Sequence, residues 1–317
     1  MPLNPAERKF FAQIAAQQDP NATPLEQLTI DEFRKGIAFI DDYVGEPANI
    51  SFVDTHVPAR DGYQIPIRIY NDNIGNNSPV MIFYPGCGYV HKLFEINAIC
   101  CSRIAEASGI KVIVVNFRLA PEYPLPTSMY DGYDAACYIS THAQQFGIDP
   151  KKLILGGYSS GANCAAIVSN LSRNQFFVLQ QILLNGVYDF TLSNTDYKSF
   201  EKEDQFLTPE VLAYICKQYG VSPDKFSDPL FSPYFETNLS GVPPTTIVVA
   251  EFDGIRSESE AYYKKLKAAG NKVEKIVIPG QTHNTMAMRK ALSDGPDPAQ
   301  VIAKVIKDQV FIRGSYK

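Results

Sequence analysis

Tryptophan is absent from the 317 residues, and histidine occurs only four times. Any chemistry that needs an imidazole therefore has few places to draw it from. No apolar run approaches the ~18 residues of a membrane-spanning helix. The opening stretch, Met1-Pro-Leu-Asn-Pro-Ala-Glu-Arg-Lys9, lacks the apolar core of a secretory signal. No basic stripe is present and the net charge is −5, which argues against nucleic acid and a membrane surface as partners. Phosphate-cradling glycine loops, internal repeats and low-complexity segments are also missing. The six cysteines, at 87, 100, 101, 137, 164 and 216, show no metal-ligand spacing with the histidines. They read as reduced thiols of a cytoplasmic protein that uses neither metal nor cofactor.

With 45% hydrophobic and 20% charged residues, the composition is that of an ordinary globular protein, long enough for one large α/β domain. Residues 1–45 carry apolar side chains at helical spacing: Phe10, Phe11, Ile14 and Ala15, then Phe33, Ile37, Phe39 and Ile40 behind the capping-box pattern Thr29-Ile-Asp-Glu32. From Phe52 to Tyr70 the period changes to two around Asp61-Gly62, which predicts a hairpin. Short buried strands are then expected at 80–84, 112–116, 153–155, 182–185, 246–250 and 273–278. Helices are expected between them at about 96–107, 131–145, from 160 onward, at 208–219 and at 258–269, with a last helix from Pro298. This alternation predicts a mostly parallel sheet with helices on both faces and an antiparallel hairpin at its start. The stretch from Asp189 to Pro244 is too long for an ordinary crossover.

The chemistry centres on Gly157-Tyr158-Ser159-Ser160-Gly161, which joins the predicted strand at 153–155 to a helix-forming run. Strand, Gly-X-Ser-X-Gly, helix is the context of a nucleophile elbow, and the frame selects Ser159 over Ser160. In that architecture the order is Ser, then an acid, then His. His56, His91 and His142 precede Ser159, leaving His283 in the loop after the last strand as base. The acid is expected after the preceding strand, where Asp253 stands before a glycine; Glu251 is the alternative. Ser159 needs an imidazole to take its proton, and the imidazole needs a carboxylate on its other nitrogen. Oxyanion donors are expected from the Ser160 amide and from the loop Pro85-Gly86-Cys87-Gly88.

One further stretch, Phe117-Arg-Leu-Ala-Pro-Glu-Tyr-Pro-Leu-Pro126, is close to the Y-R-L-A-P-E-x-P-x-P segment of the hormone-sensitive-lipase-like carboxylesterases. Gly147-Ile-Asp-Pro150, Asp253-Gly-Ile-Arg256 and, more loosely, Asp228-Pro-Leu-Phe-Ser-Pro233 are similar to other segments of that group. Over about residues 25–290 the chain resembles it. The resemblance implies an α/β-hydrolase fold with a helical cap: a catalytic domain at 46–189 and 226–317, and cap segments at 1–45 and 190–225. It implies Ser159 as nucleophile, Asp253 as acid, His283 as base, and the amides of Cys87, Gly88 and Ser160 as oxyanion hole, with Tyr89 and Tyr158 in the substrate pocket. The group's H-G-G-G loop reads Pro85-Gly-Cys-Gly88 here, and its elbow has Asp and Ala where Tyr158 and Ser160 stand. The implied function is a serine carboxylesterase acting on short- to medium-chain acyl esters of small molecules through an acyl-enzyme. The alternatives are an amidase or arylformamidase using the same triad, and a non-catalytic small-ligand binder. A homodimer is compatible with the resemblance.

Overall fold

The computed structural model describes residues 2–16, 22–196, 207–290 and 295–312. The expected cap segments therefore fall partly outside the described residues, at 17–21 and 197–206.

Among the described residues, eight strands form one sheet in the order β1-β2-β4-β3-β5-β6-β7-β8: β1 Phe52–Pro58, β2 Gln64–Tyr70, β3 Ser78–Tyr84, β4 Lys111–Val115, β5 Ile148–Tyr158, β6 Gln180–Leu184, β7 Thr245–Ala250 and β8 Val273–Ile278. β1 and β2 pair antiparallel across the Asp61-Gly62 turn, with Pro58 opposite Gln64. β2 pairs antiparallel with β4, and every later pair is parallel. The strands β4, β6 and β7 are buried along their whole length, which is why each reads as an apolar run behind its first one or two polar residues.

Alternation along the strands sorts the core into two layers. Val80, Ile82, Ile113, Val115, Leu153, Leu155, Ile247 and Val249 point to the layer containing α4 Thr127–Thr141, α5 Ser160–Ser172 and α7 Arg256–Ala268. Met81, Phe83, Val112, Val114, Ile154, Ile182 and Val248 point to the other, against α3 Phe94–Ser108, α8 Pro298–Lys307 and the N-terminal α1 Pro5–Ala16.

Two helices differ from expectation. α4 begins and ends four residues earlier than the 131–145 read from composition. Asp131 is not at its start but one turn inside, fully buried and paired with the Arg118 guanidinium. The capping box at Thr29 forms, but α2 Ile30–Lys35 stops at Gly36, and Ala38–Tyr43 is a 3₁₀ turn rather than a continuation. Glycine is a poor helix former, and Ile37 leaves the helical region at φ −107°, ψ 2°. α6 Pro209–Lys217, capped by Thr208, lies within the long 189–244 interruption.

Candidate active site

β5 turns into α5 within one residue, and Ser159 is that residue. Its φ of 55° and ψ of −121° lie in a region that non-glycine residues rarely occupy. The flanking glycines are there for want of room. A Cβ on Gly157 would overlap the backbone of Gly161, and one on Gly161 would overlap that of Tyr84. The Ser159 amide donates to Leu184 O at 2.8 Å, fastening the turn to β6.

The loops after β7 and β8 bring two side chains from 94 and 124 residues downstream to this turn. His283 Nε2 lies 2.9 Å from Ser159 Oγ, and its Nδ1 lies 3.0 Å from both oxygens of Asp253. Asp253 is fully buried, and its Oδ1 also accepts from the Ile255 amide at 2.9 Å. With the Nδ1 proton held by that carboxylate, Nε2 is left to accept from the serine hydroxyl. Ser159 itself is only partly buried. The three residues read from order and position thus form one hydrogen-bonded chain that ends at an accessible hydroxyl.

The loop after β3 faces the same hydroxyl. Asn97 of α3 clamps it on both sides of Gly86, accepting from the Gly86 amide at 2.9 Å and donating to its carbonyl at 3.0 Å. Gly88 follows at φ 56°, with α6 behind it. The Cys87 amide donates to the Ser160 hydroxyl at 3.0 Å. A cavity of about 360 Å³ opens over Ser159, His283 and this loop. Its other walls include Phe33, Ile37 and Phe39 from the N-terminal part of the chain and Val211, Leu212, Ile215 and Tyr219 from α6 and the residues after it.

Residues 81–287 match the family model described as alpha/beta hydrolase fold. This chain belongs to that family. Among curated relatives of this hydrolase, an ethyl acetate hydrolase of Pseudomonas putida is 28% identical over 320 residues, covering 98% of this chain and 100% of that protein. A carboxylic ester hydrolase of Mycobacterium tuberculosis is 32% identical over 310 residues, covering 88% of this chain and 81% of its own length. Among solved structures, a hyperthermophilic esterase of the archaeon Pyrobaculum calidifontis superposes with a TM-score of 0.87 at 30% identity, over 98% of this chain and 99% of that one.

Several residues of the hydrolase site take places that pattern alone did not assign. Tyr158 lines the cavity and also holds the histidine loop: its hydroxyl donates to His283 O at 2.7 Å, and its ring stacks on the imidazole at 5.4 Å. Asn185, at the end of β6, donates to the same carbonyl at 2.9 Å and accepts from the Ala250 amide. Its only signal in the sequence was a polar residue closing the apolar run Ile182-Leu-Leu-Asn185. Tyr89, expected in the pocket, stands behind the wall instead. It is fully buried, packs on Phe117, Phe190 and Tyr219, and spends its hydroxyl on Asn163 Oδ1 at 2.7 Å. Glu251, the alternative acid, accepts from the Gly280 amide at 2.7 Å. His91 does line the cavity, against the ring of Phe33, and burial helped by nearby Arg34 pushes its pKa down to about 4.

The Arg118–Pro126 stretch that carried the resemblance acts as scaffolding. Arg118 forks onto buried Asp131 and reaches Asp61, while Glu122 takes a bidentate pair from Arg34 of α2. Arg34 also donates to Val90 O and Ala120 O, tying α2 to the loop that carries Cys87 and Gly88. That ion pair holds the Glu122 carboxyl down to about 2.

Proposed function

We propose that this α/β-hydrolase is a serine carboxylic ester hydrolase that acts on short- to medium-chain acyl esters. The observation that carries the reading is the unbroken line from Asp253 through His283 to Ser159 Oγ beneath an apolar cavity. Ser159 Oγ attacks the ester carbonyl while His283 Nε2 takes its proton, and buried Asp253 stabilises the imidazolium that forms. The carbonyl oxygen becomes an oxyanion received by the amides of Cys87, Gly88 and Ser160. On collapse, His283 returns the proton to the departing alkoxide, leaving an acyl-enzyme on Ser159. A water deprotonated by His283 then releases the acid and restores the serine.

In this reading residues 1–45 and 190–225 are cap segments on a catalytic domain of residues 46–189 and 226–317. The described parts of both segments line the cavity, which supports that division. Six unbridged cysteines support a reducing, cytoplasmic setting. The names of the relatives support ester over amide chemistry.

The test is turnover of p-nitrophenyl acetate, butyrate and octanoate, against an anilide and a formamide, by the wild type and Ser159→Ala. Ester hydrolysis by the wild type is expected to fall about 10⁴-fold or more in the variant. Equal turnover by both proteins would sink the mechanism, and faster cleavage of the anilide or formamide would move the substrate class.

A further inference from the structure

The Cys87 amide has a single hydrogen, and that hydrogen is already in use. It is directed at the Ser160 hydroxyl with N···Oγ at 3.0 Å, and Ser160 is 1% exposed. The Cys87 thiol is 3.8 Å from the same oxygen. Burial pushes that thiol up to about 11, so it brings no charge to the contact near neutrality. The Ser160 amide, by contrast, opens α5, where the first N–H groups of a helix have no acceptor within it. Of the amides around Ser159, the one on Cys87 is therefore engaged with a side chain while the serine waits for substrate.

We propose that the Ser160 hydroxyl is a competing acceptor that holds the Cys87 amide in the resting enzyme and yields it only to the substrate's oxyanion, so that residue 160 limits how far the oxyanion hole is preorganised. The inference rests on the esterase reading above. An anionic oxygen is a stronger acceptor than a neutral hydroxyl, so the exchange runs forward in the transition state. It is not free, because donors stabilise a transition state most when nothing must be displaced to use them. The hydroxyl, once released, has to find another partner in a buried site. Ser160 in this role is a positioning residue: it acts on the reaction through the Cys87 amide.

Ser160→Ala removes the competitor and keeps both backbone amides. A neutral hydrogen bond is worth roughly 2- to 10-fold in rate. The variant is expected to raise kcat on p-nitrophenyl butyrate by that factor with KM within about twofold. A trifluoromethyl ketone, which forms a tetrahedral adduct on Ser159, should bind tighter by the same factor. Loss of a merely structural contact would not produce that combination, and an unchanged or lowered kcat overturns the inference. Amide hydrogen exchange at Cys87, followed by NMR without substrate, reads the bond independently of turnover. Exchange about tenfold faster in Ser160→Ala is expected, and equal rates overturn the inference. If the wild type hydrolyses no ester, the functional reading falls instead, and the exchange rates alone judge the role of Ser160.

Discussion

A serine at φ 55° is held against a cost of about 1–3 kcal/mol, and the fold meets that cost with a bond to β6 and glycines on either side. Burial of one acidic group, Glu258, is less well compensated. Glu258 of α7 is 1% exposed, beside Asp189. Asp189 has four donors, from Thr191, Ser193 and Asn194, whereas Glu258 accepts from the Thr195 hydroxyl at 2.7 Å, distantly from the Tyr188 amide at 3.4 Å, and from the Asp189 backbone. Burial, with the Asp189 charge adding to it, raises the Glu258 pKa from about 4.5 to about 7. Because the folded value is the higher one, the folded chain binds more protons between those pH values. The stability from this group is complete below about pH 4.5 and is lost as pH rises through 7. Glu258→Gln keeps an acceptor for Thr195 without the titration. Thermal unfolding at pH 5, 6.5 and 8 should show the variant gaining on the wild type by a few °C as pH rises. Parallel pH profiles for the two proteins would refute the assignment.

Whole elements hold the residues of the proposed triad through contacts that no local period reveals. α1 is an example: the Glu7 carboxylate, 1% exposed, accepts from the Thr282 amide at 3.0 Å, and the Asn4 amide donates to Gly280 O at 2.7 Å. The N-terminal helix and the residue just before it therefore fasten Gly280 and Thr282, in the loop that leads into His283. Glu7→Ala would strand the buried Thr282 amide, costing about 1–3 kcal/mol of stability, and should lower kcat severalfold more than it raises KM. Glu7→Gln retains an oxygen for that amide and should recover most of the rate. A kcat in Glu7→Ala equal to that of the wild type would mean that the histidine loop holds itself. Legibility divides along the same line. That Ser159, Asp253 and His283 come together could be read because each sits at a strand end in a fixed chain order. Glu7, Asn97, Asn185 and Arg34 could not, since their partners are fixed by tertiary approach rather than by spacing. The early start of α4 was hidden for a similar reason, since Asp131 lies one turn inside the helix, held there by its ion pair with Arg118.

On the scale of the whole molecule, the sheet and its two helix layers could be read from buried strands alternating with helices, whereas the cavity could not, because its walls come from segments far apart in the chain, from Ile14 to Ala287. The Tyr214 hydroxyl of α6 donates to Leu28 O at 2.9 Å, and Phe33 of α2 packs on the Tyr214 ring at 4.5 Å. These contacts join the two proposed cap segments over Ser159. The joined walls are almost wholly apolar, so they should select acyl chains by how many methylenes they bury. Each buried methylene is worth about 0.8 kcal/mol, close to a fourfold gain in kcat/KM. The gain should continue with chain length only until the 360 Å³ is full. Leu212, buried on α6 and part of the cavity wall, is the place to shorten the cavity without touching Ser159, Asp253 or His283. In Leu212→Trp the indole should occupy space that a longer chain would use. Hydrolysis of p-nitrophenyl acetate is expected to stay within about twofold of the wild type, while kcat/KM for the octanoate falls at least tenfold, the equivalent of two methylenes left unburied. A chain-length profile identical to that of the wild type would place the acyl group elsewhere and remove α6 from the specificity of the site.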